Sequence, residues 1–230
     1  MVRAARDRGG RIVIPAFAVG RTQDVVHALD RLFRSGRLPE IPIYIDSPLA
    51  ADVQSIVRKH PEVFDEETAA ALRAGGDPLG MNKVVLIREA ADSMKLNEKR
   101  GTFVTISASG MCEGGRILHH LKHTIEDARN TVVIIGYQAE GTLGRRLVEK
   151  APEVRIFGET HPVRATVAVL NGFSAHADHD ALVAQASACG AARGAAIVHA
   201  DLERAEALRT GLPRKMSVRI PSEGETWELA

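Results

Sequence analysis

The chain has 230 residues, enough for one large domain or two small ones. Hydrophobic residues make up 45% and charged residues 26%, and the formal net charge is only +1, which excludes a broad basic face; any nucleic acid must be held by a local site. No apolar run approaches the ~20 residues of a membrane span, the opening residues lack the apolar core of a secretion signal, and two cysteines, Cys112 and Cys189, are too few for a disulfide framework or a thiolate zinc site, so no membrane partner and a reducing cytoplasm are expected.

Met1 to Asp7 reads as a helix, an expectation that the chain starts inside an element. Arg11 to Phe17 is a short β-branched apolar run, hence a buried strand. Gly20 to Gln23 opens a helix reaching about Arg34, with Val25, Val26, Leu29, Leu32 and Phe33 at helical spacing. Ile41 to Asp46 is the next strand, broken by Ser47-Pro48. Helices over Ala50–His60 and Pro61–Ala74 and a loop at Gly75 to Pro78 follow. Lys83–Arg88, Thr102–Ala108 and Thr131–Tyr137 are further strands, each followed by a helix: from Ala90, after Gly114-Gly115, and from Gly141. Repeated strand–turn–helix units with short connections predict an α/β fold, a mostly parallel sheet covered on both faces.

The texture changes near Lys150, and the expected division is 1–150 and 151–230. Glu153–Phe157 and Val163–Leu170 read as neighbouring strands, the second half-exposed and antiparallel because polar and apolar residues alternate. A helix after His176, a strand ending at Val198, a helix from Leu202 and a strand over Met216–Ile220 complete the chain.

Three glycine-bearing turns precede helices: around Gly20-Arg21, from Ser107 through Ser109, Gly110, Gly114 and Gly115, and around Gly141 to Arg145. Glycine lets backbone approach a ligand closely, and free N–H groups at a helix start favour phosphate. Arg21, Arg116 and Arg145 are placed to pair with it. One such turn is ordinary capping; three on one sheet edge point to a phosphate-lined crevice. No Walker A loop, GxGxxG fingerprint or GxSxG elbow is present. His119, His120 and His123 form a basic cluster without the glutamate of an HExxH site, so surface or substrate contact is expected there. Asp46 ends a strand, where a carboxylate is either catalytic or part of a helix cap formed by Asp46 or Ser47. Cys112 reads as an ordinary thiol, and His27, His60 and His161 as surface or structural. His176 stands in a polar turn after Gly172, and His199 closes an apolar strand, where α/β folds bind ligands. Histidine is a common metal ligand and a proton donor near neutral pH.

IPAFAVGRTQ (14–23), IYIDSPLA (43–50), ISASGMCEGGRILHHLKH (106–123), GYQAEGTLGRRL (136–147), GFSAHAD (172–178) and VHAD (198–201) run through almost the whole chain. In this order they resemble the β-CASP branch of the metallo-β-lactamase fold, the RNA-processing nucleases. The resemblance implies a β-CASP domain with a mostly parallel, helix-flanked sheet over 1–150, then the C-terminal part of a metallo-β-lactamase αββα sandwich over 151–230. It implies a ribonuclease that hydrolyses RNA phosphodiesters with two zinc ions, the metals bridging the scissile phosphate and the attacking hydroxide. By resemblance His199 is a zinc ligand, although the family's His-Gly-Glu reads His199-Ala200-Asp201 here. His176 matches the histidine beside the leaving group, a general acid in catalysis. The loop from Ser107 to Gly110 resembles the cap's substrate-facing loop.

The family's His-x-His-x-Asp-His motif occurs nowhere in these 230 residues, nor do its further histidine, bridging aspartate and acidic motif. One histidine cannot hold a catalytic zinc that needs at least three protein ligands. The chain alone is therefore expected to be inactive and to hold no zinc tightly. The expected partners are single-stranded RNA and a missing N-terminal metallo-β-lactamase half, with a homodimer left open. Two alternatives remain: a non-catalytic RNA-binding or scaffold paralogue, and a split nuclease completed in trans. An unrelated phosphate-binding α/β enzyme is a distant fourth reading.

Overall fold

The computed structural model describes residues 1–57, 59–77, 83–174, 176–189 and 194–226. They divide into two compact units, Met1–Ser174 and Ala175–Ala230. The first unit begins with α1 (Val2–Asp7), β1 (Ile12–Pro15), α2 (Arg21–Arg34), β2 (Ile43–Asp46), α3 (Pro48–Val57) and α4 (Glu66–Arg73). It continues with β3 (Val84–Ile87), α5 (Ala90–Glu98), β4 (Val104–Ser107), α6 (Arg116–Lys122), β5 (Thr131–Ile134) and α7 (Leu143–Val148). A hairpin of β6 (Glu153–Ile156) and β7 (Glu159–Pro162) leads to β8 (Thr166–Val169).

Six strands form one sheet in the order β3-β2-β4-β1-β5-β8, and every neighbouring pair is parallel. Parallel strands need both faces covered, and successive side chains point to opposite faces. Ile12 and Ile14 of β1 join Val25, Val26, Leu29 and Phe33 of α2 on one face. Val13, between them, joins Ile117 and Leu121 of α6 and Leu147 of α7 on the other. All four residues of β1, β4 and β5 are buried, as continuous apolar runs require. Full burial of each aliphatic side chain contributes about 1.5–3 kcal/mol.

One strand pairing is corrected. Val163–Leu170 does not pair antiparallel with Glu153–Phe157: β6 takes β7 as its antiparallel partner, and β8 adds parallel to β5. An edge strand with one face open alternates polar and apolar residues whichever way it runs, so the pattern could not give its direction. By compactness the chain divides after Ser174, since β8 belongs to the first sheet. The helices expected over 50–60 and 61–74 are shorter, with a single 3-10 turn at Pro61–Val63 between them. Arg58 of the first, and Pro78 at the end of the expected loop, lie outside the described residues.

The second unit contains α8 (His179–Ala188), β9 (Gly194–Ala196), α9 (Leu202–Gly211) and β10 (Ser217–Arg219). β9 and β10 pair in parallel across α9, a small βαβ unit. Ile197, Ala205 and Leu212 form its core, with Val183, Leu208 and Met216 packed on them. Asp178 caps α8 by accepting the Ala181 N–H at 2.9 Å. Among the described residues no helix is long and apolar enough to cross a membrane.

Leu121→Ala empties a fully buried site under the sheet and should cost about 2–5 kcal/mol. Val85→Ala, at a 48% exposed position of β3, should cost no more than about 0.5 kcal/mol. Urea unfolding of the two variants checks this, and equal losses would contradict the layer arrangement.

Candidate functional site

Strand order singles out one place on the sheet. From β1 the chain moves toward β2 on the β4 side, whereas from β5 it moves to β8 on the opposite side. The edge beyond the carboxyl ends of β1 and β5 is therefore a topological switch point, where open α/β sheets bind ligands. Phe17 and Ala18 follow β1, Tyr137 and Gln138 follow β5, and the loop from Ala108 to Gly115 leaves neighbouring β4.

A buried polar cluster supports this edge. Asp46 is the last residue of β2, aligned with Ser107 of β4 and Ile87 of β3. Strand alternation sends Ile43 and Ile45 to the α2 face, and Asp46 to the face carrying α6. There its carboxylate accepts hydrogen bonds from Ser93 Oγ at 2.5 Å, Arg116 Nη1 at 2.7 Å and His120 Nε2 at 2.6 Å. A carboxylate only accepts, so the His120 proton sits on Nε2. Burial pushes the Asp46 carboxyl up, but the bonds from His120, Ser93 and Arg116 outweigh it and hold the group below its ordinary 3.8. Arg116 also donates to the carbonyls of Ile87 and Arg88, at 3.3 and 2.7 Å. Ser107 Oγ donates to the Asp46 carbonyl at 2.9 Å. One carboxylate thus ties β2, the end of β3, α5 and α6 together, and the loop from β4 to α6 begins at that tie.

The loop is fixed at its other end too. Gln138 Nε2 donates to the Gly110 carbonyl at 3.1 Å, the Gly144 N–H donates to the Met111 carbonyl at 3.1 Å, and the Leu143 N–H donates to Glu113 Oε1 at 2.7 Å. Gly115 has φ 78°, and a Cβ there would stand 3.0 Å from the Ala108 carbonyl oxygen, so glycine serves the turn itself.

This geometry redistributes the residues expected to hold phosphate. Ser107 is buried and its hydroxyl is engaged with Asp46. Arg116 points inward to the same group rather than to a ligand. Ser109 Oγ accepts the Glu113 N–H at 3.3 Å, Gly114 accepts from the Ser109 N–H, and Gly110 is buried in the loop. The helix starts are capped from within: the N–H groups of Arg21 and Thr22 by Val19 and Phe17, that of Ile117 by Ala108, and those of Leu143 and Arg145 by Glu113 and Thr142. Side chains, rather than open amide cradles, are what these turns present. Arg21, 16% exposed, lies 3.7 Å from Asp24, and Arg145, 31% exposed, lies 2.6 Å from Glu149.

The histidine cluster separates. His120 is buried on Asp46, His119 stacks on Phe157 at 4.6 Å between ring centroids, and His123 Nδ1 lies 2.8 Å from the His119 carbonyl. The surface role expected for His120 is corrected: its partner lies 74 positions away, which no local spacing reveals. Ser47, rather than Asp46, caps α3, accepting the Ala50 N–H at 3.2 Å. His161 is structural, buried beside Glu126 at 2.7 Å. The Cys112 thiol is buried, and burial with the neighbouring Glu113 charge pushes its pKa up to about 12, so it is no nucleophile.

In the second unit His176 and His199 are both exposed. His199 has φ 59°, in the left-handed region uncommon for a side-chain-bearing residue. Ala175 of the GFSAHAD stretch lies outside the described residues. No group of three histidine, cysteine, aspartate or glutamate residues placed to hold a metal occurs among the described residues. A catalytic zinc takes at least three protein donors, of which the resemblance assigns His199 to this chain.

Asp46→Ala leaves a buried His120 and a mostly buried Arg116 without their anion and should cost about 3–5 kcal/mol. Because the folded-state pKa of Asp46 is lowered, its contribution is complete above 3.8 and is lost as pH falls through the folded value. Acid unfolding followed by circular dichroism should show this loss in the parent chain and a shallower pH dependence in the variant. Identical acid profiles would contradict the assignment.

Residues 22–147 match the family model of the Beta-Casp domain, and residues 160–221 match that of a Zn-dependent metallo-hydrolase RNA specificity domain. Ribonuclease TTHA0252 of Thermus thermophilus is 42% identical over 176 residues, covering 76% of this chain and 40% of that protein. An RNase J-like protein of Methanocaldococcus jannaschii is 31% identical over 216 residues, covering 94% and 48%. Transcription termination factor FttA of Methanosarcina mazei is 33% identical over 189 residues, covering 80% and 30%. The chain spans less than half the length of these relatives. A Beta-Casp match over more than half of the residues, followed by the metallo-hydrolase RNA specificity match, places this chain in the β-CASP family of metallo-β-lactamase-fold nucleases.

Proposed function

We propose that this chain is the substrate-holding cap and C-terminal segment of a zinc-dependent ribonuclease that hydrolyses RNA phosphodiesters. The observation that carries the reading is the switch point at the carboxyl edge of the parallel sheet, where the segments bearing Arg21, the 108–115 loop and Arg145 follow β1, β4 and β5. The family's models name zinc-dependent metallo-hydrolases with RNA specificity, and one relative is named a ribonuclease. Single-stranded RNA is the substrate this edge suits, with its phosphates met by Arg21 and Arg145 and its chain laid along the loop at Ser109, Gly110, Gly114 and Gly115.

In this proposal His199 contributes one metal donor, and the others come from a further metallo-β-lactamase segment in the same polypeptide or in trans. His176 gives its proton to the departing oxygen as phosphodiester cleavage proceeds. The chain alone is inactive. A non-catalytic RNA-binding protein is the competing reading, and reconstitution separates the two.

Metal content and cleavage of a labelled single-stranded RNA should be measured for the chain alone and after adding the N-terminal part of the Thermus thermophilus ribonuclease. The expected result is no turnover alone and chelator-sensitive cleavage on reconstitution. In the reconstituted enzyme His199→Ala should lower retained metal. His176→Ala should leave the metal in place and slow cleavage roughly 10²–10⁴-fold. Chelator-sensitive cleavage by the unassisted chain would refute the inactive-segment reading. RNA binding without turnover on reconstitution would favour the non-catalytic one.

A further inference from the structure

We propose that Phe17 and Tyr137 form a base-stacking platform for single-stranded RNA at the switch point, flanking the Gly110 loop. This proposal rests on the reading of the chain as RNA-acting and names the contacts by which the bases are held.

The chain is poor in aromatics, at 4% of residues. Phe33 and Phe103 are buried in the core, Tyr44 packs edge-on against Phe103, and the Phe157 ring lies against His119. Phe17 and Tyr137 are 55% and 41% exposed, and Phe157 is 52% exposed. Single exposed apolar residues are common and call for no explanation. Phe17 and Tyr137 follow adjacent parallel strands, β1 and β5, at the carboxyl edge where the strand order reverses.

The element between them is held in place. A Cβ at Gly110 would meet Cδ2 and Cε2 of the Phe17 ring at 3.4 Å, so the ring lies against the loop. The Gln138 side-chain amide donates to the carbonyls of Gly110, Gly136 and Tyr137, at 3.1, 3.1 and 2.9 Å. That amide clamps the Tyr137 segment to the same loop. The Phe17 carbonyl accepts the Thr22 hydroxyl at 2.8 Å, which fixes the turn that carries Phe17 and places Arg21 beside it.

Rings on a rigid support lose little freedom when a planar ligand stacks on them, and a guanidinium alongside answers a phosphate. Every base presents a π-face, so such a platform tolerates sequence, and it takes unpaired strands because bases inside a duplex are not accessible to it.

The test uses the 230-residue chain and fluorescence anisotropy with two probes of equal length: a labelled single-stranded RNA and the same backbone with abasic sites. The parent chain should bind the intact RNA more tightly than the abasic probe. Phe17→Ala and Tyr137→Ala should each weaken intact-RNA binding roughly 5- to 150-fold and narrow the gap between probes. Phe17→Trp and Tyr137→Phe keep a ring and should keep the affinity. Unchanged affinity in both alanine variants, or equal binding of both probes by the parent, would overturn the platform while leaving the RNA-acting reading intact. Failure of the parent to bind either probe would overturn both. Far-UV circular dichroism of each variant confirms that the fold is retained, as expected for exposed positions.

Discussion

The Asp46 carboxylate has no solvent exposure, yet three side chains from α5 and α6 reach it and hold it charged. Removing such a charge from water is costly, and only well-formed hydrogen bonds offset the cost. Here they come from a hydroxyl, a guanidinium and an imidazole, and the guanidinium also engages two carbonyls at the end of β3. The result is a fixed floor under the carboxyl edge of the sheet. The 108–115 loop begins on that floor, and Gln138, Leu143 and Gly144 pin its far end. The surface that faces a ligand therefore needs no rearrangement of backbone to form, the kind of preorganisation that reduces the entropic cost of binding.

Much of the fold was legible in the residues. Ile12–Pro15, Val104–Ser107 and Thr131–Ile134 lie inside apolar runs because both faces of a central parallel strand are buried. The α2 stripe at Val25, Val26, Leu29 and Phe33 was equally clear, since helical spacing and burial agree. β8 escaped because its alternation reflects an edge position and carries no direction, and β7 escaped because Glu-Thr-His-Pro has no strand signature. The family was legible through motifs that are close in sequence. The Asp46–His120 contact was not, because it joins residues 74 apart through the packing of a helix on a sheet. His119, His120 and His123 look alike in sequence, and only their orientation on and just after α6 separates a core residue from two surface ones.

The three glycine-bearing turns present side chains where open amides were expected. Helix starts at α2, α6 and α7 sit where the motifs put them, but internal acceptors take N–H groups at each of the three. The edge offers instead two arginines, two exposed rings and a braced loop, a combination suited to a strand that carries both bases and phosphates. In the second unit His176 and His199 are presented on exposed turns around a small core. Among the described residues neither belongs to a group of three potential metal donors.

The central claim is that RNA lies along the carboxyl edge of the six-stranded sheet. Photocrosslinking of a 4-thiouridine-substituted single-stranded RNA to the 230-residue chain, with the attachment sites mapped by mass spectrometry, addresses it directly. The account predicts adducts concentrated in residues 16–23, 108–115 and 136–145. Adducts confined to α3, α4 or the β6–β7 hairpin, with those three segments unmodified, would contradict it.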